Sequence, residues 1–489
     1  MSTQFYFPSG GEFLDPALLE WLEKGTRPRA RLKNTHEDFQ VEEQGLCGTR
    51  FTADTVSNLT PDQIANPPAP TRYIRVTVVK RGLTTGHTEH LLKTRFREQG
   101  FEVRITYAGN KDRTACTGQA MNIEFKSSPE GKDPMAVTRK MCRPHELNGR
   151  DWFIKDPIYV QGPLSLGALR GNHFKIRLTV PGMNSQSITS YLNEKVAVLE
   201  ERNWMFPNAY GKQRRGRCQT NDYLGYAFLQ AGPLTAFRMC LTLGAPDESD
   251  FAKDVRAALA KSWEEFEKAR NSGAPIGEQF SHFEDMHQIL TYGPNRQRWG
   301  EEQKEPVHVR VNMPIEYALV TQAATTRDLD EVAMRLPREF SLWIGAIQAF
   351  WYNKCLVKYL QGEIPTLNMD SEIPLMVNKP RAIEFYGQHF PQALPGDYNR
   401  KKQRVFRLYN RVAKRYFEPF SAGPMRSLFA KVSDFGFKVG NEEVTVENML
   451  PSGTFETTFL SMFFDLDSDY ANNGKSNTGE GTPFVPELE

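Results

Sequence analysis

The stretch Tyr107-Ala-Gly-Asn-Lys-Asp-Arg-Thr-Ala-Cys-Thr-Gly-Gln119 gathers residue types that can do chemistry. A β-rich run at 103–107 ends in a Gly turn that presents Lys111 and Asp112 side by side. Small and hydroxylated residues follow (Thr114, Ala115, Cys116, Thr117), then a second strand-like run at 121–125. A carboxylate exposed at a strand end, with a cation beside it and little bulk around it, can act as a nucleophile or a base. An Asp in that position can also simply cap a turn. Residue types alone leave both readings open.

The elements that must position this loop are strand-rich. Strands are expected at 30–33, 39–43, 73–80, 103–108, 121–125 and 174–180. Residues 73–80 alternate apolar and polar over most of their length, which predicts a sheet with one wet face. Between strands, 88–99 carries Leu91, Leu92 and Phe96 at helical spacing. Residues 185–202 place Ile188, Tyr191, Leu192, Val196 and Leu199 on one stripe, with Ser185 or Ser187 as cap. Loops are expected at 66–70 and 127–133. Strands and helices mixed without strict alternation argue for an α+β fold.

Beyond about residue 220 the character becomes helical. Residues 251–269 are amphipathic, 340–360 form a strongly apolar helix, and 399–417 are amphipathic with a strongly basic wet side. Strand patterns return at 435–439 and 443–447. The expected organisation is a discontinuous catalytic domain, 1–234 with 426–489, interrupted by a mainly helical module at 235–425. The Gly-, Asn-, Ser- and Thr-rich tail from 472 is expected to be disordered.

At 489 residues two or three domains are the prior, and 25% charged with 39% apolar residues describes a globular protein. A net charge of +2 is nearly neutral, so a nucleic-acid partner would have to meet a local basic surface. None of the six cysteines forms a CxxC pair, which suggests neither a zinc site nor a disulfide framework and fits a reducing cytosol. His87 and His90 lack further ligands at suitable spacing. The N-terminal residues lack the charged start and apolar core of a signal peptide, and no run of about 18 apolar residues occurs. A cytoplasmic protein is expected.

Several separated stretches together resemble the TruD family of pseudouridine synthases. Lys33-Asn-Thr-His-Glu-Asp-Phe-Gln-Val-Glu-Glu43 is similar to the family's first motif, a Lys followed by E/D-D-F-x-V-x-E. Ala108 to Gln119 resembles the second, AGxKDxxAxTxQ, whose Asp is the catalytic residue. Pro207-Asn-Ala-Tyr-Gly-Lys-Gln-Arg-Arg-Gly216 resembles PNxFGxQRFG, and Leu450-Pro-Ser-Gly-Thr-Phe455 resembles LPAGSF. Leu166-Gly-Ala-Leu-Arg-Gly-Asn-His-Phe174 is similar to LGxLxGNxF. The matches keep the family's order over nearly the whole chain. Two departures stand out: Tyr210 replaces a Phe, and Arg215 replaces the Phe of QRFG. The Tyr hydroxyl needs a partner if buried.

The resemblance implies a mixed, mainly antiparallel pseudouridine-synthase sheet with flanking helices and an inserted helical TRUD-type module. It implies isomerisation of uridine to pseudouridine in RNA, most often tRNA at position 13, with no cofactor and no metal. Asp112 would act as nucleophile at C1′ or base at the ribose 2′ carbon, kept ionised by a cation, for which Lys33 matches. Phe39 and Phe455 match substrate-contacting aromatics, Asn208 an amide able to read a uracil edge, and Tyr210 the aromatic of the third motif. Lys212, Arg214 and Arg217 form a basic cluster beyond Asn208, and Arg404, Arg407 and Arg411 belong to one basic helical stripe; both are read as contacts to the RNA backbone. Competing readings are the same chemistry on another RNA site, or a non-catalytic RNA-binding protein. A monomer without membrane attachment is expected.

Overall fold

The computed structural model describes residues 13–22, 26–32, 35–216, 219–244, 248–294, 306–364, 372–374, 380–394 and 425–466. Among the described residues, fifteen strands run in chain order: β1 (Arg29–Leu32), β2 (Phe39–Gly45), β3 (Arg50–Phe51), β4 (Tyr73–Arg81), β5 (Glu102–Tyr107), β6 (Cys116–Ser127), β7 (Asp151–Val160), β8 (Leu169–Thr179), β9 (Met205–Pro207), β10 (Glu372–Pro374), β11 (Met425–Ser427), β12 (Phe429–Lys431), β13 (Ser433–Val439), β14 (Glu443–Pro451) and β15 (Asp465–Leu466). Two units divide the chain: Leu19–Asn208 with Phe429–Glu489, and Met1–Leu18 with Ala209–Leu428.

The first unit holds an 11-stranded sheet whose central order is β13-β14-β8-β2-β6-β4-β7. Its pairs are antiparallel except β2 with β6 and β1 with β15. The expected α+β class and mainly antiparallel sheet are therefore present. Helix Thr85–Glu98, capped by Thr84 Oγ1 on His87 N at 3.1 Å, lays Leu92 and Phe96 on Ile74, Val76, Val78, Met121 and Ile123. Helix Ser185–Glu201 packs Ile188, Leu192 and Leu199 against Phe39, Val41, Ile176 and Val446. Its cap is Asn184, whose Oδ1 accepts from Ser187 N at 2.9 Å, rather than Ser185 or Ser187.

β4 departs from the expected wet face: residues 76–80 are all buried. The segment after β3 covers the second face, where Asn58 Nδ2 donates to Thr77 Oγ1 at 3.2 Å and Lys155 Nζ donates to Asp54 O at 2.8 Å and Thr52 Oγ1 at 2.9 Å. β7 has no counterpart among the expected strands. Asp156 sits at φ 56° where the register shifts between Arg75 and Thr77, and Pro157 follows, so a bulge interrupts the two-residue period.

The second unit is mainly helical. Helix Asp250–Asn271, expected as amphipathic, buries Val255, Leu259, Trp263 and Phe266, with Trp263 edge-on to Phe283 of helix Ile276–Tyr292 at 5.8 Å. Helix Pro337–Leu360 lies along helix Asn221–Ala231, with the Phe228 and Phe340 rings 5.0 Å apart. No helix among the described residues is long and apolar enough to cross a membrane.

Candidate active site

The sheet order explains why the motif stretches matter together. β14, β8, β2 and β6 are consecutive neighbours, and each carries or adjoins one of the stretches singled out above. Gln40 lies beside Cys116, Glu43 beside Asn172, and Leu450 beside Asn172 on the far edge of β8. Gly167 N also donates to Ala108 O at 2.7 Å, which ties the turn before β8 to the start of the Asp112 loop. Four stretches far apart in sequence thus form one continuous block.

Within the loop between β5 and β6, Lys111 and Asp112 have opposite fates. Lys111 is buried, and its Nζ lies 2.7 Å from Glu43 Oε2, an ion pair in which both side chains are almost fully covered. Its main-chain N–H donates to Thr85 Oγ1 at 2.9 Å; Thr85 donates to Gln119 Oε1 at 3.0 Å, and Gln119 Nε2 to Gly109 O at 3.3 Å. Asp112 is exposed. The loop backbone is held from below while its carboxylate faces outward.

A second lysine completes this support. Lys80 at the end of β4 is 0% exposed, and its Nζ donates to Leu83 O at 2.8 Å and to the main-chain oxygen of Asp112 at 3.0 Å. Burial pulls its pKa down to about 8, against the attraction of Asp112. The spacing of residues did not mark Lys80. Its signal in the sequence is a lysine closing the apolar run Val76-Thr-Val-Val79.

Asp38 gives the first motif a structural reason. Its Oδ2 accepts from Thr35 N at 2.7 Å, and its Oδ1 accepts from Arg177 Nε at 2.6 Å, closing the turn that launches β2. Phe39 enters the core 2% exposed, edge-on to Phe174 at 6.2 Å. Phe455 is half-buried just before helix Glu456–Leu460, and Asn208 is buried directly after β9. Buried Glu456 accepts from Asn448 Nδ2 at 2.8 Å, and burial raises its pKa to about 8. Sequence patterning did not single out this pair. Thr117 Oγ1, Asn172 Oδ1, Asn448 Oδ1, Glu456 Oε2 and Thr458 Oγ1 are buried without a hydrogen-bond partner among the described residues.

In the helical unit, Tyr210 is buried, edge-on to Tyr352 at 5.3 Å and under the Arg426 guanidinium at 4.0 Å. Asn353 holds its backbone through Tyr210 N to Oδ1 at 2.8 Å and Nδ2 to Tyr210 O at 3.0 Å. Of the basic cluster, Lys212 is exposed, whereas Arg214 is half-buried over the Tyr210 ring at 5.3 Å, its pKa lowered by burial. Arg215, the departure from the motif, pairs with buried Asp222 at 2.9 Å and stacks on Tyr223 at 5.1 Å. Lys33, Arg217, Arg404, Arg407 and Arg411 lie outside the described residues. Among the described residues, no three His, Cys, Asp or Glu side chains group as a metal site.

A family model described as tRNA pseudouridine synthase D (TruD) matches residues 21–275, more than half of the chain. The chain belongs to the TruD family. It is 31% identical to pseudouridylate synthase PUS7L of Mus musculus over 30% of this chain and 20% of the relative. It is 27% identical to tRNA pseudouridine synthase D of Proteus mirabilis over 41% of this chain and 46% of the relative. The matched stretches thus span less than half of these curated relatives. A crystal structure of a tRNA pseudouridine synthase D (TruD) from Methanosarcina mazei superposes with a TM-score of 0.52 at 16% identity, covering 94% of this chain and 99% of the other, a likeness of fold.

Proposed function

We propose that this TruD-family protein isomerises uridine to pseudouridine in RNA, with tRNA as substrate and position 13 of its D arm as the target. The observation that carries the reading is the Asp112 loop: an exposed carboxylate on a backbone fixed by the Glu43–Lys111 ion pair, inside the block formed by the motif strands. The reaction breaks the N1–C1′ bond, turns the uracil over and joins C5 to C1′. The proton lost from C5 is balanced by one gained at N1. Nothing enters or leaves, so the demand on the protein is to hold an extruded nucleoside and place one base or nucleophile at its sugar.

Asp112 takes that role in its ionised form, either at C1′ or at the ribose 2′ carbon. Phe455 and Asn208 hold the base, by stacking and by hydrogen bonds to its polar edge. Phe39, deep in the core beside Phe174, shapes the floor. Lys212 contacts the RNA backbone, together with Arg214, Arg217, Arg404, Arg407 and Arg411. The protein works in the cytoplasm as a monomer, residues 235–425 serving as the inserted module.

The test is incubation with in vitro transcribed tRNA, followed by chemical mapping of pseudouridine by sequencing. Wild type should modify a single uridine; Asp112→Asn should yield no product while RNA affinity stays within a few-fold. An active Asp112→Asn variant would remove Asp112 from the chemistry. Tight binding without any product would make the chain an RNA-binding protein.

A further inference from the structure

We propose that Lys80 is a positioning residue of the reaction, the buried cation that fixes the Asp112 loop from beneath. This rests on the reading of Asp112 given above. Three charged side chains converge beneath the loop. Lys111 and Glu43 form an ion pair at 2.7 Å, so their charges cancel as seen from Asp112. Lys80 makes its hydrogen bonds to two main-chain carbonyls instead, at 2.8 Å and 3.0 Å. Its positive charge is therefore not spent on a carboxylate within that contact, and it faces the residue whose carbonyl it holds.

A neutral donor could satisfy the same carbonyls at lower cost, because burying an ammonium in a covered site is expensive. What the ammonium adds is a fixed positive potential on the underside of an exposed carboxylate. The titratable groups that face Lys80 are Asp112 and Lys111 from the loop and Cys116 from β6. Asp112 favours the charged lysine and Lys111 disfavours it; Cys116, raised to about 11 by burial, stays neutral through the working range. Lys80 and Asp112 are thus mutually coupled, and each should report a change in the other.

Rates of pseudouridine formation under single turnover, measured from about pH 5 to 10, separate a charge role from a packing role. The wild-type rate should fall on the alkaline side near pH 8, where Lys80 loses its proton. Lys80→Arg keeps its charge to high pH, so that alkaline fall should disappear. Lys80→Met should lose roughly tenfold or more in rate at neutral pH, with no alkaline fall near pH 8 and RNA affinity unchanged, because the main chain that carries Asp112 is no longer held. A Lys80→Met rate equal to wild type at neutral pH would overturn the proposal, as would an alkaline fall retained in Lys80→Arg. If Lys80→Met does not fold, the reciprocal coupling decides. In protein carrying 13C-labelled lysine, the Lys80 titration should move down in Asp112→Asn, and an unmoved titration would refute the coupling. An active Asp112→Asn enzyme would instead bring down the reading of Asp112, whatever Lys80 does.

Discussion

Glu456 follows Phe455 directly and opens helix Glu456–Leu460, with its side chain 3% exposed and one oxygen accepting from Asn448 Nδ2 at 2.8 Å. Its other oxygen, Oε2, and Asn448 Oδ1 both lack partners among the described residues. A proton on Oε2 turns an orphaned acceptor into a donor, which is what burial demands of an isolated carboxyl. A helix N-terminus would favour the anion, but five residues supply little dipole and desolvation prevails. The consequence for stability has a definite sign. Below the ordinary value of 4.5, Glu456 is protonated in both folded and unfolded chains and has no pH-dependent effect. Between 4.5 and about 8 the unfolded chain has released the proton while the folded one keeps it, so stability falls by about 1.4 kcal/mol per pH unit from this group. Above about 8 the loss levels off. Glu456→Gln, neutral throughout, should therefore gain on wild type as the pH rises, read as urea midpoints at about pH 5.5 and 8. A constant gap between the two proteins across that range would mean Glu456 is ionised when folded.

At the level of strands, two glycines within the motif stretches turn out to be steric. A Cβ on Gly118 would lie 2.1 Å from Phe51 O and 2.6 Å from Thr52 C, where the chain after β3 crosses β6. On Gly171 it would lie 2.3 Å from Leu450 O, where β14 closes on β8. Both neighbours are main chain and cannot swing aside. Gly118→Ala and Gly171→Ala should each cost about 3 kcal/mol in urea unfolding. Gly436→Ala on β13, with open space around its Cβ position, should stay within about 0.5 kcal/mol. Equal effects at all three would locate the cost in backbone entropy. The contrast also marks what the sequence could disclose. Strand-like runs placed β2, β5, β13 and the N-terminal half of β14 closely, because strand patterning is a local property. The long motifs pointed at Asp112 for the same reason. The burial of both faces of β4 was invisible, since the covering segment arrives from residues 52–58 through side-chain contacts no period records. Lys80 was invisible too: its partner is 32 residues away, and only the order β2-β6-β4 brings the two loop-supporting lysines under one turn.

For the whole molecule, the question is how a chain of net charge +2 would hold a polyanion. Long-range steering from so small a charge is weak, so affinity has to come from local groups whose contacts displace counterions. Within 212–216 the arrangement narrows the choice. Arg215 is committed to Asp222 and Arg214 lies over Tyr210, while Lys212 is exposed. The sequence offers more positive charge at Arg400, Arg404, Arg407, Arg411 and Lys414, spaced three or four apart and almost free of acids, a segment outside the described residues. If that stripe meets phosphates, each lost contact removes a nearly fixed increment from the salt dependence of binding. The double variant Arg407→Ala/Arg411→Ala should weaken tRNA binding and reduce the slope of log Kd against log salt by about one to two, measured by fluorescence anisotropy from roughly 50 to 200 mM salt. Its single-turnover rate at saturating RNA should match wild type, because phosphate contacts set binding and register while the sugar chemistry is proposed for Asp112. An unchanged Kd and slope would return the stripe to merely solvated charge and leave the RNA backbone to other cations. A lost single-turnover rate with unchanged affinity would place these arginines in the chemistry instead.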